Sequence, residues 1–365
     1  MFKKGLIQTA LLLLSVSLLS ACAPTVTAEK KRFFFPPAPA EPKIEYLQAY
    51  FSDHDLKPET DNFMTKYVLG ETRPQAILSS PTDVAADGKG RVYVTDAGTR
   101  QVVVLDLVNH KHRLLSSPTL LGGAQRSFGI PYGVEVAADG RVYVTDILAK
   151  SVAVFSADEK YLFTLNAPDM ERPTAVAVDN LRGLVYVTDT VKHQVVVFDL
   201  QGQPIGAFGE RGAGPGQFNF PTDVDVDEEG HVYVLDSLNA RVQVFDRSGE
   251  FLRMFGERGT EAGSFEMPKS LAVDSFGQVY VTDALAHKVV IFSREGDLLL
   301  RIGGKSVVKK GVSPGGFYMP RGIDADAGGG VWVVDSLNRM VHNFQLLTEK
   351  YLDEHPISQG VLSAQ

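Results

Sequence analysis

Residues 221–255 read PTDVDVDEEGHVYVLDSLNARVQVFDRSGEFLRMF, and this stretch decides the fold. Val224 and Val226 alternate with acidic residues, which is the period of a β-strand with one buried face. Gly230 and Gly249 mark turns, and the segments VYV and VQVF consist of residues that favour strands. The stretch therefore predicts four short consecutive antiparallel strands.

The same pattern recurs along the chain, each time starting at a proline. The six copies begin at Pro81, Pro131, Pro173, Pro221, Pro268 and Pro320. Successive starts are 42 to 52 residues apart, a period typical of solenoids, propellers and arrays. Because every copy is built of strands, we predict an all-β fold: a six-bladed β-propeller with four-stranded blades.

The two ends of the repeat region predict how the ring closes. The sixth copy ends at its third strand, residues 341–345, and no fourth strand follows. The segment 44–51 has the pattern of the missing strand, so we predict that it completes the last blade and removes an exposed edge. Residues 52–80 then form a connector, with a short helix expected over 61–69.

The repeated pattern resembles the NHL repeat over about residues 43–347. The resemblance rests on residues 221–255, on the fifth copy from Pro268 to Phe292, and on the loop motifs GQF at 216–218 and GSF at 263–265. As a whole the chain is similar to the six-bladed propeller lipoproteins of bacteria. Since a fold does not give a function, the site has to be argued separately.

The beginning of the chain predicts export and lipid attachment. Two lysines precede the apolar run Leu6–Leu19, which fits the core of a signal peptide and is too short to span a bilayer. The following Cys22 is the single cysteine, and its context LSAC resembles the bacterial lipobox. The resemblance implies a signal peptide over 1–21, acylation of Cys22 with chains such as palmitate, and an anchor in the outer membrane, because Ala23 follows. The alternative is a secreted protein with an incidental cysteine.

Three further segments complete the predicted organisation. Residues 22–42 are rich in proline and predict an extended tether. The cluster Lys30–Phe35 within it could lie at the membrane interface or dock on the propeller, and the alternative is a plain linker. The propeller is predicted over 43–347, and 348–365 is a polar tail without a functional signal.

The charge of the chain restricts its partners. The formal net charge is −8, and removal of the signal peptide with its two lysines leaves −10. Nucleic acid is a poor partner for such a protein, because binding to phosphates needs a basic surface. We expect a monomer whose partner is an envelope protein or an anionic ligand.

Cationic and titratable residues are predicted to collect on one face, which we call the top face. The residue after each repeat proline is expected at the mouth of the central channel, and the turn after the second strand returns to the same face. The predicted ligand-binding residues are Tyr132, Lys269 and Arg321 at the mouth and His193, His287 and Arg339 in the turns. The phenylalanines Phe218, Phe265 and Phe317 are expected in loops leading to this face. The alternative for the turn positions, Arg241 among them, is that they brace neighbouring blades through a repeated aspartate.

That aspartate ends the second strand in every copy. The six residues are Asp96, Asp146, Asp189, Asp236, Asp283 and Asp335. A group repeated identically around a ring is expected to serve the fold, and aspartate suits this position because it bonds backbone N–H groups in turns.

A different set of carboxylates breaks the repeat. At the fifth residue of the pattern, alternate blades carry Glu135, Asp225 and Asp324 where the others have alanine. Oxygen ligands in a ring near the axis would suit Ca²⁺, and water in a polar channel would satisfy them equally well. No other cofactor is indicated.

Two enzyme families have a similar architecture. Lyases that cleave peptidyl-hydroxyglycine hold zinc with histidines just after the repeat proline, but none of the six positions here is histidine. Only the alternate-blade carboxylates support a resemblance to calcium-dependent lactonases. The sequence therefore favours a non-catalytic, membrane-anchored scaffold that binds an envelope protein or other ligand through its top face. The alternative is a metal-dependent lyase or lactonase with an axial carboxylate site.

Overall fold

The computed structural model describes residues 31–57, 74–116, 128–308 and 312–357. The chain divides into two units, Met1–Arg32 and Phe33–Gln365, and all described strands belong to the second. Cys22 and the predicted helix over 61–69 lie outside the described residues. Within the described part, no helix is both long and apolar enough to span a membrane.

The strands follow one another in the predicted order. The chain begins with β1 (Phe33–Phe35) and β2 (Ile44–Tyr50). Blade one contains β3 (Pro81–Ala86), β4 (Arg91–Asp96), β5 (Gln101–Asp106) and β6 (Lys111–Leu114). Blade two contains β7 (Pro131–Val136), β8 (Val142–Asp146), β9 (Ser151–Phe155) and β10 (Tyr161–Leu165). Blade three contains β11 (Pro173–Asp179), β12 (Leu184–Asp189), β13 (Gln194–Asp199) and β14 (Pro204–Phe208).

The second half of the ring repeats this order. A short parallel pair, β15 (Glu210–Arg211) and β16 (Gln217–Phe218), precedes blade four. Blade four contains β17 (Pro221–Val226), β18 (Val232–Asp236), β19 (Arg241–Phe245) and β20 (Phe251–Phe255). Blade five contains β21 (Pro268–Val273), β22 (Val279–Asp283), β23 (Lys288–Phe292) and β24 (Leu298–Gly303). Blade six contains β25 (Pro320–Ala325), β26 (Gly330–Asp335) and β27 (Met340–Leu346), and a helix α1 (Glu349–Glu354) follows. The predicted six-bladed all-β fold is confirmed.

The core lies between neighbouring blades. The second strand of each blade turns one aromatic side chain toward the next blade, because alternate residues of a strand face opposite sides. Tyr93 thus packs with blade two, and Trp332 of blade six packs with Val84 and Val94 of blade one. The remaining members of the set are Tyr143, Tyr186, Tyr233 and Tyr280. Each blade therefore buries its apolar surface only by stacking on its neighbour.

The N-terminal strand closes the ring as predicted. Strand β2 pairs with β27 in an antiparallel register that sets Ile44 opposite Leu346 and Tyr46 opposite Phe344. Strand β1 adds a fifth strand to this blade, with Phe33 opposite Tyr46. Of the three possibilities for the aromatic cluster, docking on the propeller is therefore the one observed for Phe33–Phe35. The folded unit starts about ten residues before the predicted boundary at 43.

The aspartate at the end of each second strand is structural, as predicted. Asp236 is fully buried and accepts hydrogen bonds from Asn219 N at 2.6 Å and from Arg241 Nε at 2.9 Å. Arg241 also donates to the carbonyl oxygens of Ala213 and Gly214, both at 2.8 Å. The arginine thus braces the loop between blades, which was the alternative to a ligand-binding role for this turn position.

Candidate functional site

The top face is defined by strand pairing. Pro221 at the start of β17 lies opposite Asp236 at the end of β18, so the inner-strand start and the turn after the second strand share one face. The same pairing occurs in the other blades.

A β-bulge presents the residue after each repeat proline to the channel mouth. In β21, Pro268 opposes Asp283 while Ser270 opposes Thr282, so Lys269 is the additional residue. Bulges bend a strand and re-aim one side chain, which is why they occur often beside binding sites. The mouth is a cavity of about 20 Å³. Its lining includes all six predicted mouth positions, Thr82, Tyr132, Thr174, Thr222, Lys269 and Arg321.

Two cations sit side by side in this mouth. The guanidinium carbon of Arg321 lies 5.8 Å from the centre of the Tyr132 ring, a cation–π contact that orients the arginine. Burial, followed by the charge of Arg321, lowers the pKa of Lys269. Among the described residues neither cation has a carboxylate partner at ion-pair distance. The Oγ1 atom of the adjacent Thr222 is buried and has no hydrogen-bond partner among the residues that the structure describes.

Two carboxyl groups line the same cavity, and sequence reasoning had not placed them there. Asp83 Oδ2 accepts the N–H of Val134 of blade two at 3.0 Å, and Asp223 Oδ2 accepts that of Leu271 of blade five at 2.8 Å. Burial raises the pKa of Asp223 to about 7, and burial together with Asp223 raises the pKa of Asp83 well above its ordinary value. The signal for both was an aspartate two residues after the repeat proline in two of the six copies.

The three predicted axial carboxylates lie inside the ring, and two of them, Asp225 and Asp324, bond to the backbone of the adjacent blade. Asp225 Oδ2 accepts the N–H of Val273 at 2.7 Å, and Asp324 Oδ2 accepts that of Ala86 at 2.7 Å. These bonds satisfy the free inner edge of the next blade. Burial raises the pKa of Asp225 and of Asp324 to about 7, and burial and neighbouring carboxylates raise that of Glu135 well above its usual range.

The carboxylates do not assemble into a ligand set. Among the described residues, no group of three or more His, Cys, Asp or Glu side chains is placed to hold a metal ion. A calcium site at Glu135, Asp225 and Asp324, one of the two interpretations of these residues, is therefore not preformed in this arrangement. The physical reason is that the backbone N–H groups of adjacent blades already occupy oxygen atoms of two of the three.

The two predicted histidines brace the loops that enter the following blades. Nδ1 of His193 accepts the N–H of Phe220, and Nδ1 of His287 accepts that of Met319, both at 3.1 Å. Burial lowers the pKa of His287, with Lys305 as a second cause. Both residues have a positive φ, 57° and 55°, in the turn before the third strand. Nδ1 of each histidine is therefore engaged in a structural hydrogen bond, and neither residue lines the channel mouth.

The remaining predicted residues of the top face divide into exposed and buried ones. Arg339 is exposed at the corresponding turn of blade six. The loop phenylalanines Phe218, Phe265 and Phe317 are fully buried between blades, so they do not reach a ligand on this face. The structure thus brings together Tyr132, Lys269 and Arg321 in the lining of the channel mouth, which does not include His193 and His287.

Comparison with protein families supports the architecture. Residues 173–237 and 229–302 match the model of the family DUF5128, described as a 6-bladed beta-propeller. The match covers the third, fourth and fifth blades. The class defined by fold and site is a six-bladed β-propeller with a small polar channel mouth.

Solved structures with the same fold have varied roles. A protein of unknown function from Bacteroides thetaiotaomicron aligns at a TM-score of 0.59 and 18% identity, covering 74% of this chain and 70% of that one. Virginiamycin B lyase from Staphylococcus aureus aligns at 0.53 and 12%, covering 84% and 99%. A gluconolactonase from Xanthomonas campestris aligns at 0.54 and 14%, covering 74% and 86%. At these identities the likeness concerns the fold alone.

Proposed function

We propose that this chain is a non-catalytic binding scaffold that holds an anionic group of a partner at its channel mouth. The observation that carries the proposal is the pair of adjacent cations, Lys269 and Arg321, without a carboxylate partner among the described residues. Like charges repel, and burial removes the water that would screen them. The two carboxyl groups of the same cavity, Asp83 and Asp223, accept backbone N–H groups of neighbouring blades and form no ion pair with either cation among the described residues. An anion from outside relieves both costs, so the pair is better explained by a ligand than by stability.

The size of the mouth indicates how the anion binds. A volume of about 20 Å³ admits one small group, since a single water needs about 10–15 Å³. The free hydroxyl of Thr222 supplies a further donor beside the cations. One carboxylate or phosphate group at the tip of a larger partner fits these dimensions better than a whole small-molecule substrate.

The location of the scaffold is part of the proposal. The signal peptide, the lipobox-like LSAC sequence and the proline-rich tether support an NHL-type lipoprotein anchored through Cys22 in the bacterial envelope, in the outer membrane. Incorporation of labelled palmitate into the wild type and its loss in Cys22→Ala would support the anchor. Unchanged labelling in the variant would contradict it.

Charge reversal at the mouth tests the binding proposal. We expect Lys269→Glu with Arg321→Glu to abolish binding of a glutamate-rich peptide, because the anion would then meet two carboxylates. The melting temperature should fall, because the variant loses the contact of Arg321 with Tyr132 and adds two carboxylates beside Asp83 and Asp223, so binding is compared at a temperature at which the variant is still folded. Binding is measured by titration calorimetry and stability by thermal unfolding.

A matched control changes two cations on the opposite face. Lys111 begins the outer strand β6 and Lys160 directly precedes the outer strand β10, and both are exposed. Lys111→Glu with Lys160→Glu alters the net charge equally and should leave binding intact. Equal binding losses in the two double variants would refute a site at the mouth, because they would indicate a general effect of charge.

A further inference from the structure

Five exposed aliphatic side chains surround the channel mouth at one repeated position. Each is the second residue of the turn after the second strand, in blades two to six: Leu148, Val191, Leu238, Leu285 and Leu337. Their exposed fractions range from 39% to 59%, and blade one has Gly98 at this position. We call these five residues the apolar ring.

Between 39% and 59% of each residue of the apolar ring remains exposed, so folding leaves a large part of these side chains uncovered. Scattered exposed leucines are ordinary, but these five recur at one equivalent position on one face, as residues of an interaction surface do. Glycine at the same place in blade one demonstrates that the turn forms without an aliphatic residue. The side chains are therefore available for contact with another molecule.

The turns that carry the ring are held rigidly. Asp146 Oδ1 accepts the N–H groups of Leu148 and Ala149, both at 3.1 Å, and Asp283 Oδ1 accepts that of Ala286 at 3.2 Å. A surface that is fixed before binding loses little conformational entropy when a partner docks. The ring is thus a preorganised surface around the cationic mouth.

The structure assigns the apolar ring as the docking surface for a protein that presents an acidic loop within an apolar patch. This inference rests on the proposed function, because the acidic loop is what the mouth would hold. Charge complementarity supports this partner: Lys150 and Arg339 are exposed in turns of the ring and Arg100 in the equivalent turn of blade one, although the chain as a whole has a net charge of −8. Lys192 is excluded from this set because it pairs with Glu171 at 3.0 Å.

A protein loop fits better than a membrane surface. Lys269 and Arg321 are half-buried within the mouth and not raised above it, so a group must protrude to reach them. A carboxylate on a loop can do so while its flanks contact the ring. The plane of a bilayer would touch the turns and leave the recessed cations unused.

Two peptide probes separate the ring from the mouth. One alternates glutamate with leucine and the other glutamate with serine, at equal length and charge. We expect the wild type to bind the leucine peptide about tenfold more tightly, because aliphatic contacts add to the acidic one. Leu238→Ser with Leu285→Ser and Leu337→Ser should remove that difference and retain the binding of the serine peptide. A matched control, Val108→Ser with Leu181→Ser and Phe276→Ser, replaces exposed apolar residues of the opposite turns.

The outcomes distinguish this inference from the proposed function. Equal affinity of the wild type for both peptides would overturn the ring while leaving the mouth site intact. If neither peptide binds, the proposed function itself is overturned, and this inference with it. Binding to vesicles of phosphatidylglycerol that is lost in the ring variant, with no preference between peptides, would replace the protein partner by a membrane. The inference would also be refuted if the ring variant still preferred the leucine peptide, or if the control variant on the opposite turns lost that preference.

Discussion

At the scale of single residues, position in the repeat separates structural carboxylates from those in the channel. The aspartate that ends the second strand occurs in all six copies and bonds the preceding loop, as its repetition predicts. The channel carboxyls occur in some copies and bond the inner strand of the next blade. Sequence located Asp225 and Asp324 near the axis, but their backbone partners lie in another blade and could not be read from the chain.

The repeated aspartate is expected to be essential for stability. Asp236→Ala leaves the Arg241 guanidinium, which is almost fully buried, without its carboxylate, and this should cost about 3–5 kcal/mol of unfolding free energy. Urea denaturation measures the loss. Asp297→Ala changes an exposed aspartate and should alter the free energy by less than about 0.5 kcal/mol. Similar losses in both variants would show that the buried pair has no special role.

The channel carboxyls predict that stability falls as the pH rises. Burial raises the pKa of Asp223, Asp225 and Asp324 from 3.8 to about 7 in the folded state. Between these values the folded protein binds more protons than the unfolded chain, so this contribution is fully present below about pH 4 and is lost as the pH approaches and passes 7.

Asparagine substitution tests this assignment. Asp225→Asn with Asp324→Asn keeps an oxygen that can accept the N–H of Val273 or Ala86 but removes the titration. Thermal unfolding between pH 4 and pH 8 should show a smaller fall in melting temperature for the variant than for the wild type. Identical pH profiles would exclude these two carboxyls as its source.

At the scale of elements, the repeat determines the strands and the chain ends determine closure. The alternation of apolar residues predicted four strands per blade and assigned the last of them to the N-terminal segment. The pairing of β2 with β27 confirms this assignment. Strand β1 was less predictable, because three consecutive phenylalanines have no alternation and their pairing with β2 depends on a turn across residues 36–43.

We expect truncation to show that β2 contributes more to stability than β1. A chain starting at Phe33 should have the same melting temperature as the fragment 23–365. A chain starting at Lys43 should be somewhat less stable, since it loses only the outer strand β1. A chain starting at Phe51 also loses β2, exposes the edge of β27 and uncovers Phe344 and Leu346, so it should aggregate or melt at a much lower temperature. Thermal unfolding and light scattering measure both effects. A stable, monomeric chain starting at Phe51 would contradict closure through β2.

At the scale of the whole molecule, six similar blades surround one channel, and the residues that differ between copies meet at its mouth. The mouth combines Tyr132 of blade two, Lys269 of blade five and Arg321 of blade six. The sequence predicted that these residues would meet, since each follows a repeat proline. It did not predict the apolar ring, although the signal, an aliphatic residue two positions after the repeated aspartate, was present in five copies.

Metal analysis separates the scaffold from the enzymatic alternative. We expect the soluble fragment 23–365, purified without chelators, to contain calcium and zinc well below one equivalent by plasma mass spectrometry. The reason is that the described channel residues provide no preassembled ligand set. Near-stoichiometric metal that disappears in Asp225→Ala with Asp324→Ala would favour a lyase or lactonase, and substrates of both classes should then be tested.

The sequence by itself determined the blade count, the strand order, the closing strand and the residues at the mouth, because these follow from a periodic pattern of apolar residues and prolines along the chain. Only the tertiary structure decided what each polar side chain bonds to. His193 and His287 accept N–H groups from the loops that enter the next blade, and Asp225 and Asp324 accept N–H groups from its inner strand. Lys269 and Arg321 lie in the mouth without a carboxylate at ion-pair distance among the described residues. Hydrogen bonds between blades join residues that are about 27 to 240 positions apart, and no local pattern specifies such pairs.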